Sequence, residues 1–205
     1  GNGGLAVTLS SVNSGFDYYI NDRNNLSLNI SYKPINQDID LLSETFLYKS
    51  ETPLSTVITN TLNGYKSDEA SASLFYKRTF QNPVQELTVE NTYYNFRSRE
   101  DNGFENTRYP YDSGTMLDTY SRHEENLNTR NYYSAKVNYV HPVGMNAKIE
   151  SGYQLYYQQM GYDFIVDNVE SDNLFEYAEL RNSVYGGITY NLKKIGMQAI
   201  LRVEN

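Results

Sequence analysis

His123-Glu124-Glu125 carries the residue types of half a zinc-protease helix, in which two histidines one turn apart hold the metal and a glutamate activates water. The second histidine at that spacing is missing, and the flanking sequence has no helical period. The chain's other histidine, His141, lies beyond a predicted strand, so the two imidazoles fall toward opposite ends of it. Asp163, Asp167, Glu170 and Asp172 cluster carboxylates of the kind that hold Ca²⁺. They lack the Asp-x-Asp-x-Asp-Gly spacing, and a solvated acidic loop accounts for them more simply. Gly1-Asn2-Gly3-Gly4 precedes a predicted strand, which removes the helix N-terminus that a phosphate-cradling loop needs. With no cysteine, thiolate chemistry is excluded too. The sequence therefore assigns no catalytic, cofactor-binding or metal-ligating residue, no cofactor, and no enzyme class.

Two weaker groups concern binding. Tyr109, Tyr111 and Tyr120 fall in a predicted loop, where their rings could stack on a sugar. Glu179 with Arg181, and Arg202 with Glu204, set charges on one face of a strand. Cross-strand ion pairing explains those charges more simply than ligand contact, and no ligand-binding residue is assigned.

What must position such residues is a set of strands. Segments of alternating apolar and polar residues meet across short turns near Asn21 to Asn25, Gln81 to Gln85, Gly144 to Ala147 and Lys194 to Gly196. The intervening connections, around Pro34 to Pro53, Arg99 to Asn126 and Asp163 to Asn173, are longer and polar. Short turns alternating with long connections are the mark of a transmembrane β-barrel, whose periplasmic turns are short and extracellular loops are not. The alternation predicts about eight strands, near residues 5–20, 26–49, 55–80, 86–98, 125–143, 148–164, 174–193 and 197–205. Leu180, Val184, Ile188, Tyr190 and Leu192 share one face, while Glu179, Arg181, Ser183, Thr189 and Asn191 share the other. Only Ile200 falls out of phase in the last strand. Val137, Tyr139, Ile149, Tyr153, Leu155, Tyr157, Leu201 and Val203 are expected on the same outward face as Leu180.

Bulk composition hides this pattern. Mean hydropathy is -0.65, and no apolar run approaches the roughly 20 residues of a membrane helix. In a barrel strand only every second residue meets lipid, which dilutes the average. Tyrosine is the conspicuous residue, 21 of 205 with 8 Phe and no Trp, and its amphipathic ring suits a membrane interface. A net charge of -8 excludes a nucleic-acid partner on electrostatic grounds.

Three stretches carry a family resemblance. Gly15-Phe16-Asp17-Tyr18-Tyr19-Ile20-Asn21-Asp22 with Asn25-Leu26-Ser27-Leu28, and Ser73-Leu74-Phe75-Tyr76-Lys77-Arg78-Thr79-Phe80 with Glu86-Leu87-Thr88-Val89, resemble hairpins of the outer-membrane β-barrel family related to TonB-dependent receptors. Phe175-Glu176-Tyr177-Ala178-Glu179, running on to Gln198-Ala199-Ile200-Leu201-Arg202-Val203-Glu204, is similar to that family's aromatic-rich strand and the Gly-Leu-Arg-Tyr-Glu strand after it. Here Ile200 replaces the Gly and Val203 the Tyr. The resemblance implies a barrel of about two dozen strands with an N-terminal plug, energised from the inner membrane. Nothing in the sequence matches a plug, a TonB box or a signal peptide.

The resulting expectation is an all-β, antiparallel, up-and-down transmembrane β-barrel wall, residues 1–205 forming a single segment of a larger barrel in the bacterial outer membrane. Its function would be solute uptake of the TonB-dependent type, with outer-membrane lipid and further barrel strands or other outer-membrane proteins as partners. Two alternatives stand beside it: a self-contained eight-stranded barrel with a structural or adhesion role, and a soluble β-sandwich that binds carbohydrate. A sandwich would bury the apolar face, whereas a barrel wall exposes it.

Overall fold

A computed structural model describes residues 2–111, 114–167, 169–170, 174–192 and 195–205. They form a single antiparallel sheet: β1 (Asn2–Leu9), β2 (Val12–Asn21), β3 (Asn24–Lys49), β4 (Thr52–Thr79), β5 (Glu86–Pro110), β6 (Asp118–Val143), β7 (Ala147–Val166), β8 (Val169–Glu170), β9 (Phe175–Leu192) and β10 (Ile195–Glu204). Each long strand pairs with the next in sequence, in the up-and-down order β1-β3-β4-β5-β6-β7-β9-β10, with β2 also on β3 and β8 on β7.

The first expected strand is split, for a backbone reason. β1 and β2 both pair with β3 in one unbroken register, Leu9 opposite Ile35 and Val12 opposite Tyr32. Between them Ser10 N–H donates to Pro34 O at 3.3 Å. The return bond cannot form because proline has no N–H. The extra count over eight thus comes from this interruption and from the two-residue β8.

Short turns lie where the sequence placed them. Asn21 Oδ1 accepts from Arg23 N at 3.0 Å, and Asn82 Oδ1 accepts from Val84 N at 3.0 Å across Pro83. Gly144 takes φ +66°, a conformation that costs glycine least. At Lys193 and Lys194 the expected turn lies outside the described residues.

The long connections are the main correction. The connection expected around Pro34 to Pro53 overlaps the strands expected at 26–49 and 55–80, and the strands prevail: β3 and β4 run on for 26 and 28 residues and join through Ser50 and Glu51, with φ of 46° and 71°. β5 continues to Pro110 and β6 begins at Asp118, so most of the Arg99 to Asn126 segment is paired strand. Asp112 and Ser113 lie outside the described residues, as do 171–173 of the third connection. These strands are more than twice the ~9–11 residues that cross a bilayer. Along these extensions both faces carry polar residues, so apolar alternation stops while the backbone ladder continues.

No hydrophobic residue among those described is buried. The buried residues are Ser55, Ser67, Ser98, Asn102, Ser134 and Ser183, and the register puts all of them on the face opposite Leu180. A sandwich needs a second layer over its apolar side, and the described residues form only one sheet, which removes the soluble alternative. β1 and β2 form one edge and β9 with β10 the other, and no ladder joins the edges among the described residues. The structure is therefore an open barrel wall.

Candidate functional site on the inward face

Cross-strand register sorts every side chain to one of two faces. One row runs Leu26, Tyr76, Val89, Val137, Tyr153, Val184, Val203. The next outward row toward the girdle carries Leu28, Leu74, Ala135 and Leu155, the row on the other side carries Leu87, Tyr139 and Leu201 beside Arg78 and Ser151, and all the residues expected to share the outward face do so. Leu180 is 57% and Leu201 74% exposed. Two amides interrupt this band, and each accepts a tyrosine hydroxyl: Asn91 from Tyr133 at 3.1 Å and Asn182 from Tyr153 at 2.7 Å. A polar group facing lipid has to be satisfied this way.

Consecutive tyrosines link the two faces. Because neighbouring side chains in a strand point oppositely, Tyr93-Tyr94, Tyr132-Tyr133 and Tyr156-Tyr157 each send one ring out and one in. Outside, Tyr93, Tyr133 and Tyr157 stand in register on β5, β6 and β7, forming a girdle at one edge of the apolar band. Inside at the same level are Tyr94, Tyr132 and Tyr156, the last two meeting edge to face at 4.9 Å.

Arginines interleave with this inner ring. Arg181 lies 4.4 Å above the Tyr156 ring and pairs with Glu179 at 2.9 Å and Glu204 at 3.5 Å. Arg202 joins Glu204 at 3.0 Å and donates to Ser183 at 2.8 Å and Gln154 at 3.3 Å. Arg130 is exposed and makes no ion pair among the described residues. It borders a 290 Å³ hollow lined by Tyr65, Phe96, Asn128, Met160 and Phe175. Flat rings around one open guanidinium can hold a solute that pairs ring or apolar surface with negative charge.

The structure distributes the sequence candidates as follows. Glu179, Arg181, Arg202 and Glu204 come together in the inward network. His123 and His141 lie toward opposite ends of β6. His123 pairs with Asp101 at 3.1 Å, Glu125 outward with Arg99 at 2.9 Å, and Glu124 inward with Arg122 at 2.6 Å. Asp163 is a β7 residue, and Asp167 Oδ1 accepts from His123 N at 2.8 Å. The side chain of Glu170 and all of Asp172 lie outside the described residues. Gly3 and Gly4 belong to β1, and Gly1 lies outside the described residues. Tyr109 faces outward and Tyr120 inward, so the predicted loop tyrosines do not form one site. The inner ring went unassigned because its tyrosines fall on the polar phase of their strands, where alternation carries no hydrophobic signal.

A family model for the outer membrane protein beta-barrel family matches residues 78–205, well over half of the sequence. The chain belongs to that family. The outer membrane beta-barrel assignment gives the chain an outer-membrane location. Among solved structures, the ferric citrate transporter FecA in its unliganded form aligns at TM-score 0.52 and 11% identity over 97% of this chain. The chain spans 27% of that protein's length, and the likeness establishes shared fold. The ferric-catecholate import receptor Fiu from E. coli aligns over 97% of this chain and 51% of its own, at 7% identity and TM-score 0.19. No curated protein sequence matches the chain.

Proposed function

We propose that the chain forms part of the wall of a bacterial uptake barrel of the TonB-dependent type, with the inward tyrosine and arginine patch touching the solute. The observation that carries this reading is the open sheet, apolar outside and polar inside, with both edges unpaired. Unpaired backbone edges cannot stand in lipid. Further strands must therefore continue this wall, which widens the lumen beyond what side chains alone can fill. The fold shared with a ferric citrate transporter supports the same reading. In the full-length protein in native outer membranes, Phe16→Cys on β2 and Leu201→Cys on β10 are expected to form no intramolecular disulfide on oxidation.

Solute entry tests the reading directly. Cells expressing the full-length protein should accumulate a labelled ferric chelate or oligosaccharide faster than cells lacking it. A protonophore should abolish the difference, and Arg130→Ala with Tyr132→Ala should reduce it severalfold at low solute concentration. Equal accumulation with and without the protein, for both solute classes, would overturn the proposal.

A further inference from the structure

On most of the sheet apolar alternation stops above the girdle, but at the β1 edge it resumes on the opposite face. On β2, after Ser10, the outward residues include Val12, Phe16, Tyr18 and Ile20, while Asn13 and Asp17 point inward. On β1, before Ser10, the sides are exchanged: Leu5, Val7 and Leu9 point inward, and Gly4, Ala6 and Thr8 outward. β3 makes the same exchange at the same level. Its outward Leu26, Leu28, Ile30 and Tyr32 give way past Pro34 to inward Ile35, Ile39 and Leu41. Two neighbouring strands that turn their apolar side to the lumen together are not answering lipid, which touches only the other face.

The patch is bare, and it leads to the solute site. Leu5, Val7 and Leu9 are 67%, 54% and 60% exposed, and from Ile35 to Leu41 only Gln37 interrupts the inward apolar run of β3. Gln37 faces Tyr65 on β4, which makes Ile35 and Ile39 the diagonal neighbours of that ring, within reach of an aromatic side chain. Tyr65 in turn lines the 290 Å³ hollow with Phe96, Met160 and Phe175, and Arg130 borders it on β6. The row from Ile35 toward β6 passes through Ser67 and Ser98, both buried, whose short side chains keep the way low. An apolar track thus ends at an exposed guanidinium that has no ion pair among the described residues. Three strand spacings of about 4.8 Å separate β3 from β6, roughly 14 Å in all, and β1 adds one more. A fatty acyl chain that spans one leaflet, half of a hydrocarbon core about 30 Å thick, is about 15 Å long. The two lengths agree.

We infer that the solute is an amphiphile, with its anionic head on Arg130 and its acyl chain laid over Tyr65 and Ile35 onto Leu9 and Val7. The inference rests on the uptake reading and narrows its solute class. The probes are two labelled ferric complexes of diethylenetriaminepentaacetate, both anionic, one carrying a dodecyl amide and the other a methyl amide. They are given below the micellar range to cells with and without the full-length protein. Burying one CH₂ multiplies affinity roughly fourfold and covering one side of it about twofold, so four groups on the patch should make protein-dependent entry of the dodecyl complex about tenfold faster at low concentration. Leu9→Asn with Ile35→Asn should bring the two rates together, and their ratio within one strain is independent of how much barrel assembles. In the full-length protein, Val7→Cys should react with a membrane-impermeant maleimide and be protected by the dodecyl complex alone. No reaction would show the patch covered by protein, and it would overturn the inference, as would reaction that the dodecyl complex does not slow. An undiminished preference in the double variant would do the same. Equal entry of the two complexes, or entry of neither while a labelled oligosaccharide still accumulates, would overturn the inference and leave the uptake reading in place. Accumulation of no solute would remove both.

Discussion

Arginine at Val184 or Ile188 is expected to reduce the folded fraction of barrel sharply, while Gln198→Arg leaves it intact. On β9 the outward apolar run extends from Leu180 to Leu192, which puts Val184 and Ile188 nearer its middle than its ends. An arginine at the bilayer midplane costs about 2–4 kcal/mol, falling to roughly 0–1 kcal/mol at the interfaces. Leu180 stands in register with Tyr157 of the girdle, so Leu180→Arg belongs to the mild end of that range. Gln198 pairs with Thr189 on the inward face and meets water. Alternation alone would rank Ser183 with Gln198, but Ser183 is 3% exposed and bonded to Arg202 and Glu204. Ser183→Arg should therefore also impair assembly, through crowding rather than depth. Heat-modifiable gel mobility of the outer-membrane fraction measures the folded share. Equal loss at Ile188 and Gln198 would show that the two faces are interchanged.

The same depth argument explains which parts of the fold were legible in the sequence. Lipid imposes a period of two on the residues that touch it, and each outward face from Leu26 to Tyr32, Leu87 to Tyr93 or Ile149 to Tyr157 could be read directly. Past the girdle that constraint vanishes. Residues 99–110 carry charges on both faces of β5, and without an apolar phase they resemble a loop although every one is paired. Ser50 and Glu51 carry no turn signal either, since both adopt positive φ without being Gly or Asn. The site was hidden for a related reason. Tyr94, Tyr132 and Tyr156 sit on the phase that reads as polar, and only the register brings them onto adjacent strands. Ile200 shows the reverse: it breaks alternation because it faces inward over Gly187, whose added Cβ would lie 2.9 Å from its Cγ1.

That pairing of a large side chain with a glycine recurs at Tyr185, and the two cases should respond differently to the same substitution. Tyr185 stands opposite Gly152 and lays its ring across it. A Cβ at Gly152 would overlap the ring's Cζ and Oη and come within 2.8 Å of Asn138 Oδ1. Gly152→Ala must displace the ring, and overpacking of this kind costs about 1–3 kcal/mol. Removing the ring removes the conflict, so Gly152→Ala should cost much less in a Tyr185→Ala background than alone, a coupling typical of residues in contact. At Gly187 the nearest obstacle is the backbone oxygen of Ala199, at 2.8 Å from an added Cβ. A carbonyl fixed in the β9 and β10 ladder cannot rotate away as a ring can. Gly187→Ala should therefore stay destabilising in an Ile200→Ala background. Urea unfolding of the full-length barrel in lipid, followed by gel mobility, gives both cycles. Additive losses at Gly152 and Tyr185 would mean that the ring does not cover the glycine, and rescue at Gly187 would assign that clash to the Ile200 side chain.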